Sequence, residues 1–191
     1  KHAVIDGEDH LEELRTLAMR AERYGLGAAA GLALLASDIL ESCIRRSQEV
    51  KLRIVSSDPH DRETRHLLNF GHTVGHALEL AAGIPHGHAV AVGMCMTLQM
   101  AVEDGVMDAA AAHDIITLIA RFGLPVRIRQ VYQGPLEHII DRLARDKKQH
   151  GGLIRCVIPH APGVLRIEPT PIEKIAQTIR KLSMDGAEKE I

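Results

Sequence analysis

Residues Lys51–Met94 read KLRIVSSDPHDRETRHLLNFGHTVGHALELAAGIPHGHAVAVGM, and this stretch decides the fold. From about Gly87 to Asp104 the apolar residues Ala89, Val90, Ala91, Val92, Met94, Met96 and Leu98 go nearly all the way round a helix. A helix without a polar face is a buried one, so other helices must pack around it. Before it, helical spacing runs from roughly Arg62 to Ala82 and stops at Gly83-Ile84-Pro85. Asp58-Pro59 separates that helix from an earlier one, because a residue preceding proline disfavours the α region.

Working outward, Glu8 to Glu22 sets Leu11, Leu14, Leu17, Ala18 and Ala21 on one helical face, and Tyr24-Gly25-Leu26-Gly27 stops it. A long helix follows from about Leu32 to Ser56, with Ile39, Cys43, Ile44, Val50 and Ile54 as its buried stripe. Downstream, Asp108 caps a fifth helix that ends at Gly123-Leu124-Pro125, and Pro135 opens a sixth that ends near Lys147-Lys148. Residues 153–158 and 164–167 alternate in polarity around His160-Ala161-Pro162-Gly163 and predict one β-hairpin. Thr170-Pro171-Ile172-Glu173 has the form of a capping box with proline at the first helical position, and opens the last helix. The fold class is therefore mainly α: residues 1–191 form a single helical domain, a bundle with one small β-hairpin.

Composition agrees and excludes several function classes. Of 191 residues, 46% are hydrophobic and 25% charged, the balance of a chain that buries a core. Aromatics are only 2%, so that core is built from Leu, Ile, Val, Ala and Met, which suits closely packed helices. A net charge of −2 offers no basic surplus for nucleic acid or anionic membrane. The apolar stretch Leu26–Ala36 is too short to span a bilayer, which takes about 20 residues. Cys43, Cys95 and Cys156 are far apart and odd in number, which argues against a disulfide framework and for a reducing, cytoplasmic setting. The chain opens at Lys1 within KHAVIDG, without Met or a targeting segment, and reads as a fragment or a processed product.

Histidine is abundant, 12 in all. His72 and His76 are four apart, which on a helix puts their Cβ atoms about 5–6 Å from each other. Two imidazoles so placed converge on one ion at Zn–N distances of about 2.0–2.1 Å. Gly71 and Gly75 beside them imply that something large approaches this backbone closely, since glycine otherwise costs helix stability. His86 and His88 lie at the start of the buried helix, where free N–H groups and the positive dipole end suit an anionic ligand. Arg65 and Asn69, seven and three residues before His72, lie on the same helical face. Lys147-Lys148 sits at a helix end, where the dipole favours cations in any case. These features together describe a metal site beside an anion site.

The runs LLNFGHTVGHALE and HGHAVAVGM resemble the C-terminal domain of the 3-dehydroquinate synthase family, whose pattern is LN-x-GHT-x-GHA-x-E followed by HGEAVA-x-GM. KHAVIDG resembles the family's E-x-x-K segment, and RDKKQHGGLIRCVIPHAPG its late D-K-K segment and hairpin. The resemblance covers nearly the whole chain, in order. It implies a divalent metal, zinc or cobalt, held by His72, His86 and a glutamate three residues before Lys1. It places His76 against the substrate rather than on the metal, with His76, Lys51 and Arg65 as catalytic residues. Lys1, Lys51, Arg65, Asn69, His76 and one of Lys147 or Lys148 are implied to hold the carboxylate, phosphate and hydroxyls of a small sugar phosphate. NAD would be bound by a preceding N-terminal domain, with no cofactor-binding residue in this chain, and family members are commonly homodimers. One departure is His88, which stands where the family has an acid.

The activity so implied is conversion of 3-deoxy-D-arabino-heptulosonate 7-phosphate to 3-dehydroquinate and phosphate, a lyase step of the shikimate pathway and aromatic amino acid biosynthesis. NAD oxidises a hydroxyl, the adjacent proton becomes acidic, phosphate leaves, and reduction, ring opening and an aldol closure follow. Two other readings stay open: a related sugar-phosphate cyclase of the valiolone or inosose type, and a non-catalytic metal-binding helical module. Residues 1–191 alone are expected to fold but to be inactive. Their zinc binding is expected to fade as pH falls through about 6.5, where free histidine protonates.

Overall fold

In a computed structural model, residues 1–23, 38–60, 63–147 and 152–184 are described. Within them, a short helix α1 (His2–Asp6) leads into α2 (Glu8–Glu22), and α3 spans Asp38–Ser57. A 3-10 turn (Thr64–Asn69) precedes α4 (His72–Ala82), α5 (His86–Glu103) and α6 (Ala109–Arg121). A second 3-10 turn (Ile128–Gln130) leads to α7 (Glu137–Lys147), the strands β1 (Leu153–Ala161) and β2 (Val164–Pro171), and α8 (Ile172–Met184). The strands pair antiparallel from Leu153 opposite Pro171 to Ala161 opposite Val164. The expected bundle with one hairpin is what forms.

The centre is α5. Every residue from Ala89 to Leu98 is buried, as are Met100 and Ala101, so the helix apolar all round is the one the others enclose. Helix α4 folds back on it through the turn at Gly83, whose φ of 64° is the left-handed conformation glycine tolerates. The two backbones meet at glycines. A Cβ on Gly93 of α5 would lie 2.0 Å from the carbonyl oxygen of Gly71, and one on Gly71 would lie 2.7 Å from the Met94 nitrogen. The close approach expected at Gly71 and Gly75 is thus made by a neighbouring helix.

Several sequence expectations are corrected. The single helix from Arg62 to Ala82 is instead a 3-10 turn and an α-helix, broken at Phe70-Gly71, where Gly71 has φ 80°. Consequently Arg65 and His72 do not share one helical face. The α3 helix starts within the described residues at Asp38, and the expected portion before it lies outside them. Ile44 is 51% exposed and does not belong to the buried stripe of Cys43, Val50 and Ile54. Pro171 ends β2 and the Thr170 hydroxyl donates to the Glu168 carbonyl, so α8 opens one residue later than its capping pattern predicts. Asp108 does cap α6, accepting from the Ala111 N–H at 2.9 Å.

The missed helix α1 is anchored by charge. Asp6, its last residue, accepts from Arg46 Nε at 2.7 Å and Arg53 Nη2 at 2.6 Å, both on α3, and lies 3.3 Å from buried His10 on α2. Burial alone would raise the Asp6 pKa, but hydrogen bonds from Arg53 and Arg46 outweigh it and hold the carboxyl below its ordinary range. Replacing Asp6 with alanine removes the acceptor shared by three helices. We expect a loss of about 2 kcal/mol in urea unfolding, the scale of hydrogen bonds to charged groups.

Candidate metal centre and its cavity

Three imidazoles converge where α4 and α5 meet. His72 opens α4, His76 follows one turn later, and His86 opens α5 beside them. Ring centroids are 5.1 Å apart for His72 and His76, 5.2 Å for His72 and His86, and 5.7 Å for His76 and His86. One nitrogen from each lies within 4.8 Å of the others. That spacing fits a single ion with each ligand about 2 Å away. The pairs expected from helical spacing and from family resemblance are therefore both present, in one cluster of three.

The three rings are not held alike. His72 Nδ1 is 3.1 Å from the Phe70 carbonyl oxygen, which only accepts, so Nδ1 carries the proton and Nε2 keeps its lone pair. His86 Nδ1 is 2.9 Å from Glu79 Oε2, which fixes its tautomer in the same sense. Metal-bound histidines characteristically donate their other N–H to a carbonyl or carboxylate in this way. No hydrogen bond orients His76 among the described residues. Burial first, and then the nearby Lys1 charge, lower the His72 pKa to about 4, so this ring stays neutral well below the ordinary histidine range.

The cluster opens into a cavity of about 600 Å³ whose lining includes His72, His76, Asn69, Arg142 and Arg155. Asn69 is thus placed beside the imidazoles as expected. Arg65 is not among the lining residues; its guanidinium donates to the Pro59 carbonyl at 3.2 Å. Lys1 donates to the Leu68 carbonyl at 2.9 Å, and burial and then Lys51 lower its pKa. Lys1 and Lys51 line a separate cavity of about 570 Å³. The Lys147 side chain and all of Lys148 lie outside the described residues.

Sequence reasoning missed Arg142 on α7 and Arg155 on β1. Neither has an acidic partner among the described residues, and no described acid lines the cavity. Both arrive from more than sixty residues away, which no local pattern signals. Glu79 was given no role, although it is the last residue of the GHA-x-E pattern and stands seven residues before His86 across a tight turn.

The helical fold is shared by solved structures. Over 96% of this chain and 49% of the other, the fold matches a 2-epi-5-epi-valiolone synthase from Streptomyces hygroscopicus subsp. jinggangensis, solved with NAD+ and Zn2+ bound, at TM-score 0.73 and 20% identity. A 2-deoxy-scyllo-inosose synthase complexed with carbaglucose-6-phosphate, NAD+ and Co2+ matches 74% of this chain and 41% of its own, at TM-score 0.61 and 23% identity. The chain therefore has the fold of a part of each of these two synthases, a little under half of their length.

The family model for the 3-dehydroquinate synthase C-terminal domain matches residues 1–149, and the chain belongs to that family. The 3-dehydroquinate synthase of Streptococcus gordonii is 38% identical over 144 residues, 74% of this chain and 40% of the relative. That of Lactococcus lactis subsp. cremoris is 34% identical across 89% of this chain and 53% of the relative. The chain spans about half, or less, of the length of these curated relatives.

Proposed function

We propose that this chain is the metal- and substrate-binding half of a 3-dehydroquinate synthase, which as a whole protein converts 3-deoxy-D-arabino-heptulosonate 7-phosphate to 3-dehydroquinate and phosphate. The observation carrying this reading is the pair His72 and His86, each with Nδ1 held by an acceptor and Nε2 left for an ion. The donor set fits zinc or cobalt, completed by a carboxylate from outside the chain. When bound, such an ion polarises an alcohol oxygen and stabilises developing oxyanions.

The chain's own residues supply the rest. His76, unheld and exposed beside the cluster, is free to take up or deliver a proton at a substrate oxygen. Asn69 and the guanidinium groups of Arg142 and Arg155 offer donors around the same cavity, which favours a polyanionic substrate over a neutral one. Lys1 and Lys51 repel each other where both line one cavity, so an anion placed between them would relieve that repulsion. Arg65 reaches a substrate only by leaving Pro59. The same reading implies a preceding NAD-binding domain, a homodimer, a lyase of aromatic amino acid biosynthesis and a cytoplasmic setting. No described helix is long and apolar enough to cross a membrane.

His88 is the feature that favours a second reading, a related cyclase acting on another sugar phosphate. Phosphate release by the full protein, supplied with NAD and zinc, separates the two. We expect turnover of the heptulosonate phosphate and none of a simple heptulose or hexose phosphate. The reverse preference overturns the synthase assignment in favour of the related cyclases, and zinc binding without any turnover leaves the non-catalytic module.

A further inference from the structure

We infer that His66 is a positioning residue, setting the side-chain amide of Asn69 at the mouth of the metal cluster. This rests on the reading of the cavity as a substrate site and goes beyond it.

The 3-10 turn is what brings the two together. With three residues per turn, side chains at i and i+3 eclipse, so His66 stands directly over Asn69 within Thr64–Asn69. An α-helix would splay them by a fraction of a turn. Asn69 Nδ2 and His66 Nδ1 are 3.2 Å apart, and His66 Nε2 is 3.3 Å from the Arg155 carbonyl oxygen on β1. Only one assignment of protons satisfies both contacts. An amide nitrogen donates and does not accept, so Nδ1 is the acceptor; a carbonyl only accepts, so Nε2 carries the proton. The chain therefore runs in a single direction: Asn69 N–H to His66 Nδ1, and His66 Nε2–H to the Arg155 carbonyl.

The consequence is a defined donor pattern. One Asn69 N–H is committed to His66, which leaves the other N–H and the carbonyl oxygen for a ligand in the cavity both residues line. Without His66 the amide is free to rotate by half a turn and present the wrong atoms. His66 also ties the 3-10 turn to β1, so Asn69 and Arg155 keep a constant relation across the cavity.

Two substitutions separate positioning from bulk. His66→Asn carries an acceptor oxygen close to the place of Nδ1, while His66→Gln reaches the place of Nε2 and keeps the donor to Arg155 but loses the acceptor for Asn69. In the full protein we expect His66→Gln to raise KM about three- to tenfold, the range of one neutral hydrogen bond, with kcat within about twofold. His66→Asn should stay within about twofold of wild type in both, and Asn69→Ala should make His66→Gln silent. Melting temperatures of the two His66 variants serve as the control for folding. Equal KM for the two variants at equal stability, or an undiminished His66→Gln effect in the Asn69→Ala background, overturns the inference. If wild type turns over no sugar phosphate at all, the functional reading fails instead, and the two failures are distinct.

Discussion

Gly93→Ala should be among the most damaging single substitutions in this chain. The added methyl would lie 2.0 Å from the Gly71 carbonyl oxygen and 3.0 Å from the Gly71 carbonyl carbon and the Gly75 nitrogen. All three obstacles are backbone, so no side chain can swing aside. Overpacking typically costs about 1–3 kcal/mol when side chains yield, and here α4 itself must move off α5. We expect a loss of about 3 kcal/mol or more, against the roughly 5–15 kcal/mol that holds a typical domain together. For a chain of this length that lowers the melting point by roughly 6–12 °C. The displacement also separates His72 on α4 from His86 on α5, so zinc affinity should fall with stability. Gly87→Ala is the control: nothing lies within 4 Å of its added methyl, and it should leave both unchanged. A Gly93→Ala protein that melts with wild type would mean that the helices do not meet at these glycines.

That contact explains why part of the fold was legible and part was not. The all-round apolar run of α5 has a single sensible place, the centre, and the alternation around Pro162-Gly163 has a single sensible form. The 62–82 segment is different. Its periodicity suits a continuous helix, and the break falls at Gly71, where the backbone packs closely against Gly93 and Met94 more than twenty residues away. Once that break is missed, Arg65 is carried onto the wrong face. The five residues of α1 are too few to show a period, and an ion pair to α3 holds them.

The site divides the same way. His72 and His76 are legible from spacing alone, and His86 was placed near them as part of an anion site but became a metal ligand only through family resemblance, because it lies beyond a turn whose geometry spacing does not report. Arg142 and Arg155 come from distant elements and leave no local trace. Acidity was misjudged for one ring. An ordinary histidine titrates near 6.5, whereas burial and Lys1 carry His72 to about 4.

The three imidazoles should separate cleanly by function. In calorimetric titration of the full protein with zinc, His72→Ala and His86→Ala should each weaken binding by more than about 100-fold, since each removes a ligand whose loss exceeds that of an orienting partner. Glu79→Gln, which removes only the carboxylate holding His86 Nδ1, should cost about 10–100-fold. His76→Ala should leave zinc affinity within a few fold, while turnover falls about 10²–10⁴-fold if this ring moves a proton. The pH dependence follows from His72. Its folded pKa of about 4 lies below the unfolded value, so the unfolded chain binds the extra proton between them. Stability of the zinc-free protein is therefore fully present above about 6.5 and drains away as pH falls toward 4. Lys1→Met removes the second cause of that shift and should move the acid melting transition to lower pH in zinc-free protein. Should His76→Ala strip the zinc while His86→Ala keeps it, the ion sits on the helical pair His72 and His76, and the tautomer argument that singles out His86 is wrong.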